Sequence, residues 1–183
     1  MVGRSELWEM KRNFQISFLK RMGLQPHHWL LDLGCGTLRG GIPLIEYLEI
    51  GHYYGLEVRA EVRAEARLEL SDHNLVGKTP HLIHSECLSS LELEQRFDVI
   101  WAFAVLIHMS DSVLEQAASL IAHHLRDEGV FYGTINRDSK RDGKWQGFPI
   151  VHRELAFYEE VFGRHRLAVT DLGSIRDFGH HHP

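Results

Sequence analysis

The segment Leu30 to Gly41, Leu-Leu-Asp-Leu-Gly-Cys-Gly-Thr-Leu-Arg-Gly-Gly, constrains this chain most, because an apolar run stops at two closely spaced glycines and a new helix begins. Leu30, Leu31 and Leu33 suit a strand buried on both faces, as in a parallel sheet. Gly34 and Gly36 permit a sharp turn and let a ligand approach bare backbone. Pro43 falls near the first turn of the next helix, where its missing N–H costs nothing. The segment reads as a strand feeding a binding loop.

The rest of the chain continues the alternation. Leu7, Met10, Phe14, Phe18 and Leu19 recur at helical spacing across Ser5 to Arg21, which predicts an amphipathic helix ended by Gly23, with Lys11, Arg12 and Lys20 on a solvated face. After the opening loop come a helix over Ile42 to Leu48 and a strand over His52 to Glu57. A helix over Arg59 to Leu70 follows, packing through Ala60, Ala64 and Leu68. Strands are predicted over Pro80 to His84, Phe97 to Phe103, Val130 to Ile135 and Leu167 to Leu172. Between them, Ser112 and Glu115 fit a capping box, and Gly129 suits the residue past that helix. Asn136 to Pro149 reads as a long loop, and Glu154 to Phe162 as a helix. Strands alternating with helices imply a doubly wound α/β fold, with a mostly parallel sheet and helices on both faces.

A chain of 183 residues, 44% hydrophobic, is long enough for one core. The expected organisation is a single domain over 1–183: an amino-terminal lid helix (1–24), a core (25–172) and a tail (173–183). A formal charge of −5 disfavours nucleic acid as a partner. Two cysteines are too few for a disulfide framework, and with no long apolar segment or signal pattern the expectation is a cytoplasmic protein off the membrane. The 14 histidines are scattered without ligand spacing, so no metal is expected.

Ligands of such sheets bind at the carboxyl ends of the strands. Glu57 lies 21 residues after Gly36 at the end of the second predicted strand, where a carboxylate can accept hydrogen bonds from both hydroxyls of a ribose. A dinucleotide loop would have its third glycine where Arg39 stands, so a nucleoside cofactor without a pyrophosphate fits better.

Leu31-Asp32-Leu33-Gly34-Cys35-Gly36-Thr37 resembles the first motif of the class I, Rossmann-like, S-adenosylmethionine-dependent methyltransferases. Glu57 resembles that family's ribose-binding acid, and Phe97-Asp98-Val99-Ile100 with Val105-Leu106-Ile107-His108 is similar to its fourth strand and the segment after it. The likeness runs from Gln25 to Leu172. It implies that Gly34, Cys35, Gly36 and Thr37 lie along S-adenosylmethionine, that Asp32 orders the loop or reaches the amino group, and that Glu57 holds the ribose. It also implies that Glu86 (or Ser85) meets the adenine amino group, that Val58 and Cys87 flank the ring, and that Ala102 and Phe103 lie near the methionine end. Two departures stand out. Leu38 replaces a glycine common in the family, and after Leu172 no segment suits the usual final antiparallel strand.

Methyl transfer from a sulfonium is an in-line displacement, in which alignment of the reacting atoms is the main requirement. His108 is the candidate base, and Trp8, Arg12, Arg137, Trp145 and Arg153 are candidates for holding a small-molecule acceptor. The function expected is methyl transfer to an oxygen or nitrogen of a small molecule. A non-catalytic S-adenosylmethionine-binding domain is the alternative, and a nicotinamide oxidoreductase a more distant one.

Overall fold

In a computed structural model of the chain, residues 5–137, 140–145 and 147–180 are described, with side chains from Trp8 onward. They form two compact units, one reaching to Glu86 and resuming at Gly173, the other spanning Cys87–Leu172.

The first unit holds helix α1 (Ser5–Arg21), strand β1 (Leu30–Leu33), helix α2 (Gly41–Tyr47), strand β2 (Tyr53–Glu57), helix α3 (Ala60–Asp72) and strand β3 (His81–His84). Its strands are parallel in the order β3-β2-β1, with Leu30 registered on Tyr53 and Tyr54 on His81. All four residues of β1 are buried, as a strand covered on both faces requires. Phe14, Phe18 and Leu19 of α1 are buried too, and the chain after Gly173 returns to pack on this helix. There Phe178 meets Phe18 edge-on at 5.2 Å, and His180 meets Phe14 at 5.0 Å.

Helix α3 has a different packing face from the expected one. Ala66 and Leu70 are its buried residues, whereas Ala60 and Ala64 are exposed and Leu68 is 66% exposed. The Arg and Glu stripes leave the two faces nearly alike in sequence, so side-chain bulk did not mark the buried one.

The second unit holds strand β4 (Phe97–Ala102), helix α4 (Asp111–His124), strand β5 (Leu125–Gly133), strands β6 (Gly143–Trp145) and β7 (Phe148–Ile150), and helix α5 (Leu155–Arg164). β5 is parallel to β4, and β6 and β7 form an antiparallel pair. Four expectations are corrected here. The capping residue of α4 is Ser110, without a side-chain cap, and not Ser112. Gly129 lies inside β5 rather than past α4: the register slips between Phe97↔Leu125 and Val99↔Val130, and a Cβ at Gly129 would stand 2.8 Å from the Phe97 carbonyl oxygen. A bulge, not a helix end, therefore uses this glycine. The stretch expected as a loop, Asn136 to Pro149, contains β6 and most of the β6–β7 pair. Leu167–Leu172 forms no strand; it follows α5 in irregular conformation.

Candidate functional site

The loop after β1 is built on alternating left-handed residues: Gly34 (φ 77), Gly36 (φ 56) and Leu38 (φ 63). Leu38 thus holds the conformation a glycine would take, and it is fully buried. An L-residue pays about 1–2 kcal/mol there, and the burial of a leucine side chain offsets it. At the position where the family commonly has a glycine, Leu38 thus keeps a glycine-like backbone. Gly34 and Cys35 donate to the Leu56 carbonyl at 2.8 and 3.1 Å, which ties the turn to β2. Cys35 is buried, and burial pushes its thiol up and keeps it un-ionised; Thr37 is half-buried.

The same turn reaches Glu57. Gly36 N–H donates to Glu57 Oε2 at 3.1 Å, and the carboxylate is 3% exposed at the end of β2. Arg59 supplies the remaining donors: its N–H and Nε each reach Oε1 at 3.0 Å, and Nη2 reaches Oε2 at 3.5 Å. These donors account for the lone pairs of a carboxylate, so any further donor to Glu57 must displace one of them, and the Arg59 side chain, 41% exposed, is the most open of them. The sequence did not single out Arg59, because an arginine that opens a charged helix looks like any solvated one.

Asp32 lies inside β1, 4% exposed, and accepts from the Tyr53 hydroxyl at 2.7 Å. Burial pushes its carboxyl up to about 7; Tyr53 and Arg39 act against the rise, and Glu57 adds to it. Tyr53 was also missed, because its meeting with Asp32 depends on register: Tyr53 is paired with Leu30, and Leu30 and Asp32 share a face of β1.

Arg39 is the third missed residue. Its Nε is buried without a hydrogen-bond acceptor among the described residues, and its guanidinium lies 5.6 Å from the Trp8 ring centroid. Burial lowers its pKa while Asp32 opposes that. Arg12 Nε donates to the Arg39 carbonyl at 3.3 Å, and a Cβ on Gly40 would collide with Gln15 at 2.3 Å. Helix α1 is therefore closed over this loop, and Trp8 and Arg12 face it. Lys11, expected on a solvated face, has its pKa lowered by burial and by Arg39.

The adenine candidates of this unit are more open. Val58 is 43% exposed; His84 Nε2 donates to its carbonyl at 3.1 Å and stands 3.9 Å from exposed Glu86.

In the second unit Ala102 is buried at the end of β4, and half-buried Phe103 stacks on Trp101 at 5.7 Å. The next residue, Ala104, is left-handed (φ 56), held by Thr134 Oγ1 accepting its N–H at 2.7 Å. Cys87 is exposed, and hydroxyl contacts from Ser89 and Ser90 lower its thiol to about 7. His108 ends a short 3-10 turn. Its Nδ1 faces the Pro149 carbonyl at 2.8 Å, and a carbonyl only accepts, so Nδ1 carries the proton and Nε2 the lone pair of the neutral ring. Trp145 stacks on that ring at 5.9 Å and Phe148 lies at 6.0 Å. Val151 N–H donates to the Ile107 carbonyl at 2.9 Å, which fastens the β6–β7 pair to the turn.

The two arginines of this unit expected to hold an acceptor are occupied. Arg137 pairs with Asp171. Arg153 bonds Asp142 at 2.7 Å and Asp111 at 3.0 Å, and these carboxylates raise its pKa further. The structure brings His108 and Trp145 together and assigns Arg153 to bracing the hairpin.

A family model described as a methyltransferase domain matches residues 31–131, more than half of the sequence. The chain belongs to the class I methyltransferases. S-adenosylmethionine is the methyl donor of that family, as the resemblance of Leu31–Thr37 to its first motif implied. Solved structures show the same Rossmann-like fold, a mostly parallel sheet flanked by helices. One is an S-adenosylmethionine-dependent methyltransferase from Clostridium acetobutylicum, 16% identical with a TM-score of 0.69, over 90% of this chain and 82% of that one. Another is the YcgJ protein of Bacillus subtilis, 17% identical with a TM-score of 0.72, over 88% and 70%. A third is magnesium protoporphyrin IX methyltransferase from Synechocystis with bound S-adenosylmethionine, 16% identical with a TM-score of 0.65, over 91% and 72%. No curated protein sequence matches this methyltransferase. Among its described residues no helix is long and apolar enough to cross a membrane.

Proposed function

We propose that this methyltransferase moves the methyl group of S-adenosylmethionine to an oxygen or nitrogen of a small-molecule acceptor. The observation that carries the reading is the Gly36 N–H bond to buried Glu57, which joins the glycine loop and the ribose acid in one place. Glu57 takes the ribose hydroxyls, and the backbone of Gly34 to Gly36 runs along the ligand. Asp32 and Arg39, which oppose each other electrostatically, match the ammonium and carboxylate of the methionine end. Val58, Glu86 and Cys87 serve the adenine, and Ala102 and Phe103 the methionine side.

Alignment of acceptor, methyl and sulfur supplies up to about 7–11 kcal/mol in favourable systems, and little covalent chemistry is left to the protein. His108 Nε2 takes the acceptor proton. The tautomer fixed by Pro149 leaves the Nε2 lone pair available to accept that proton. Trp8, Arg12 and Trp145 offer aromatic and cationic surface to an acceptor, whereas Arg137 and Arg153 act through their ion pairs. The excess of acidic residues supports a small molecule over nucleic acid as acceptor, and the scarcity of cysteine agrees with a cytoplasmic setting.

The test is a labelled-methyl screen with the purified protein against carboxylic acids, phenols and amines. Transfer to one class, reduced at sub-saturating donor in the Glu57→Ala variant, is the expected result. Binding of the donor without transfer to any of them would turn the reading into that of a donor-binding domain.

A further inference from the structure

Outside the methyl-transfer residues, the second unit holds a cluster of three metal-ligating side chains: Glu92 in the connection before β4, and His123 and His124 in the last turn of α4. One ligand atom from each lies within 4.8 Å of the other two. Glu92 Oε2 and His123 Nε2 are 3.2 Å apart, close to the separation of about 3.3 Å between two ligands of a tetrahedral zinc with bonds of about 2.0–2.1 Å.

His124 is the anchor. It is 2% exposed, and its Nδ1 faces the Gln95 carbonyl at 3.3 Å. Because that carbonyl only accepts, Nδ1 carries the proton and the lone pair is on Nε2. Ligating histidines are held in this way, with one nitrogen donating to a carbonyl and the other on the metal. The Leu93 N–H leans on Nε2 at 3.4 Å, a long contact that a metal bond would replace. The rings of His123 and His124 are neighbours, 4.8 Å between centroids, at the carboxyl end of a 14-residue helix, where the helix dipole favours a cation. Glu92 and His123 are mostly exposed, so a hydrated ion reaches them without opening the core.

We propose that Glu92, His123 and His124 form a divalent-cation site of the zinc type, with water as the fourth ligand, tying the connection before β4 to the end of α4. Two imidazoles with one carboxylate suit zinc better than calcium or magnesium, which take oxygen ligands. The proposal is independent of the acceptor and of the donor site.

The test uses the full chain, stripped with a chelator, and zinc chloride as the probe. Calorimetry and thermal unfolding are compared for the wild type, His123→Gln and Glu92→Gln, two changes at exposed positions that leave the buried ring in place. The wild type is expected to bind about one equivalent of zinc and to melt higher with it, and each variant to lose about ten-fold or more in affinity along with the rise in melting temperature. Tetrahedral cobalt absorption lost in both variants would agree. Zinc bound equally by all three chains would place it on other histidines and overturn the proposal, as would a wild type that binds none.

Discussion

The loop after β1 and the β6–β7 hairpin carry opposite kinds of construction. Around the loop the two carboxylates are buried and hydrogen-bonded: Asp32 takes Tyr53, Glu57 takes Gly36 and Arg59, and Leu38 is both buried and left-handed. Around the hairpin the ties are exposed ion pairs and backbone bonds, and Trp145 is 53% exposed. Buried polar pairs are costly to break, whereas exposed ion pairs contribute little. On the proposed function, the contrast would separate the part that holds one invariant donor from the part that varies with the acceptor.

The strongest way to break the comparison is at His108. His108→Gln is expected to cost about 10²–10⁴-fold in kcat on the acceptor found by screening, with the affinity for S-adenosylhomocysteine unchanged. An equal loss in donor affinity would show that the ring serves the fold and not the proton transfer.

Leu38 comes next. Leu38→Ala should lower the unfolding free energy by about 2–5 kcal/mol in urea, and Leu38→Gly should be no worse, reversing the usual order of alanine over glycine because glycine relieves the left-handed backbone. A glycine variant clearly weaker than the alanine one would mean that the position carries no strain.

Tyr53→Phe leaves the buried Asp32 carboxyl without its donor and should cost about 1–3 kcal/mol in the same urea measurement.

Asp32 also sets a pH dependence. Its folded pKa, about 7, is above the unfolded value near 3.8, so the folded state holds the proton more tightly. Stability should therefore fall as pH rises from about 4 to about 7, with a slope of up to about 1.4 kcal/mol per pH unit, and level off above. Asp32→Asn should flatten that part of the profile. Donor affinity should move the other way: the cationic amino group of S-adenosylhomocysteine should bind more tightly as Asp32 ionises toward pH 8.

The smallest effect belongs to the hairpin. Arg153→Gln should leave the melting temperature nearly unchanged while making Trp145 fluorescence easier to quench, and a large stability loss would erase the contrast between the two regions.

This contrast also explains which parts were legible in the sequence. The loop, Glu57 and the alternation of strands and helices are local patterns, each set by glycine, by strand burial or by spacing, and they fell where periodicity put them. Tyr53, Arg39 and Arg59 act through register and through packing under α1, which a linear pattern does not carry. Gly129 was misread because a glycine in a bulge and one past a helix look alike until the partner strand is known. The hairpin was hidden in a polar stretch whose strands are only three residues each, and Leu167–Leu172 has strand composition without a strand. The Glu92, His123 and His124 cluster draws on separate segments, so no ligand spacing announced it.

The central claim is that Glu57, joined to the glycine loop by the Gly36 N–H bond, is the residue that holds the donor's ribose. Calorimetric titration of S-adenosylhomocysteine into the wild type and into Glu57→Ala tests it most directly. Saturable binding by the wild type, weakened in the variant by about 1.5–3 kcal/mol, is the predicted result. Equal affinities, or a folded wild type that does not bind at millimolar ligand, would contradict it.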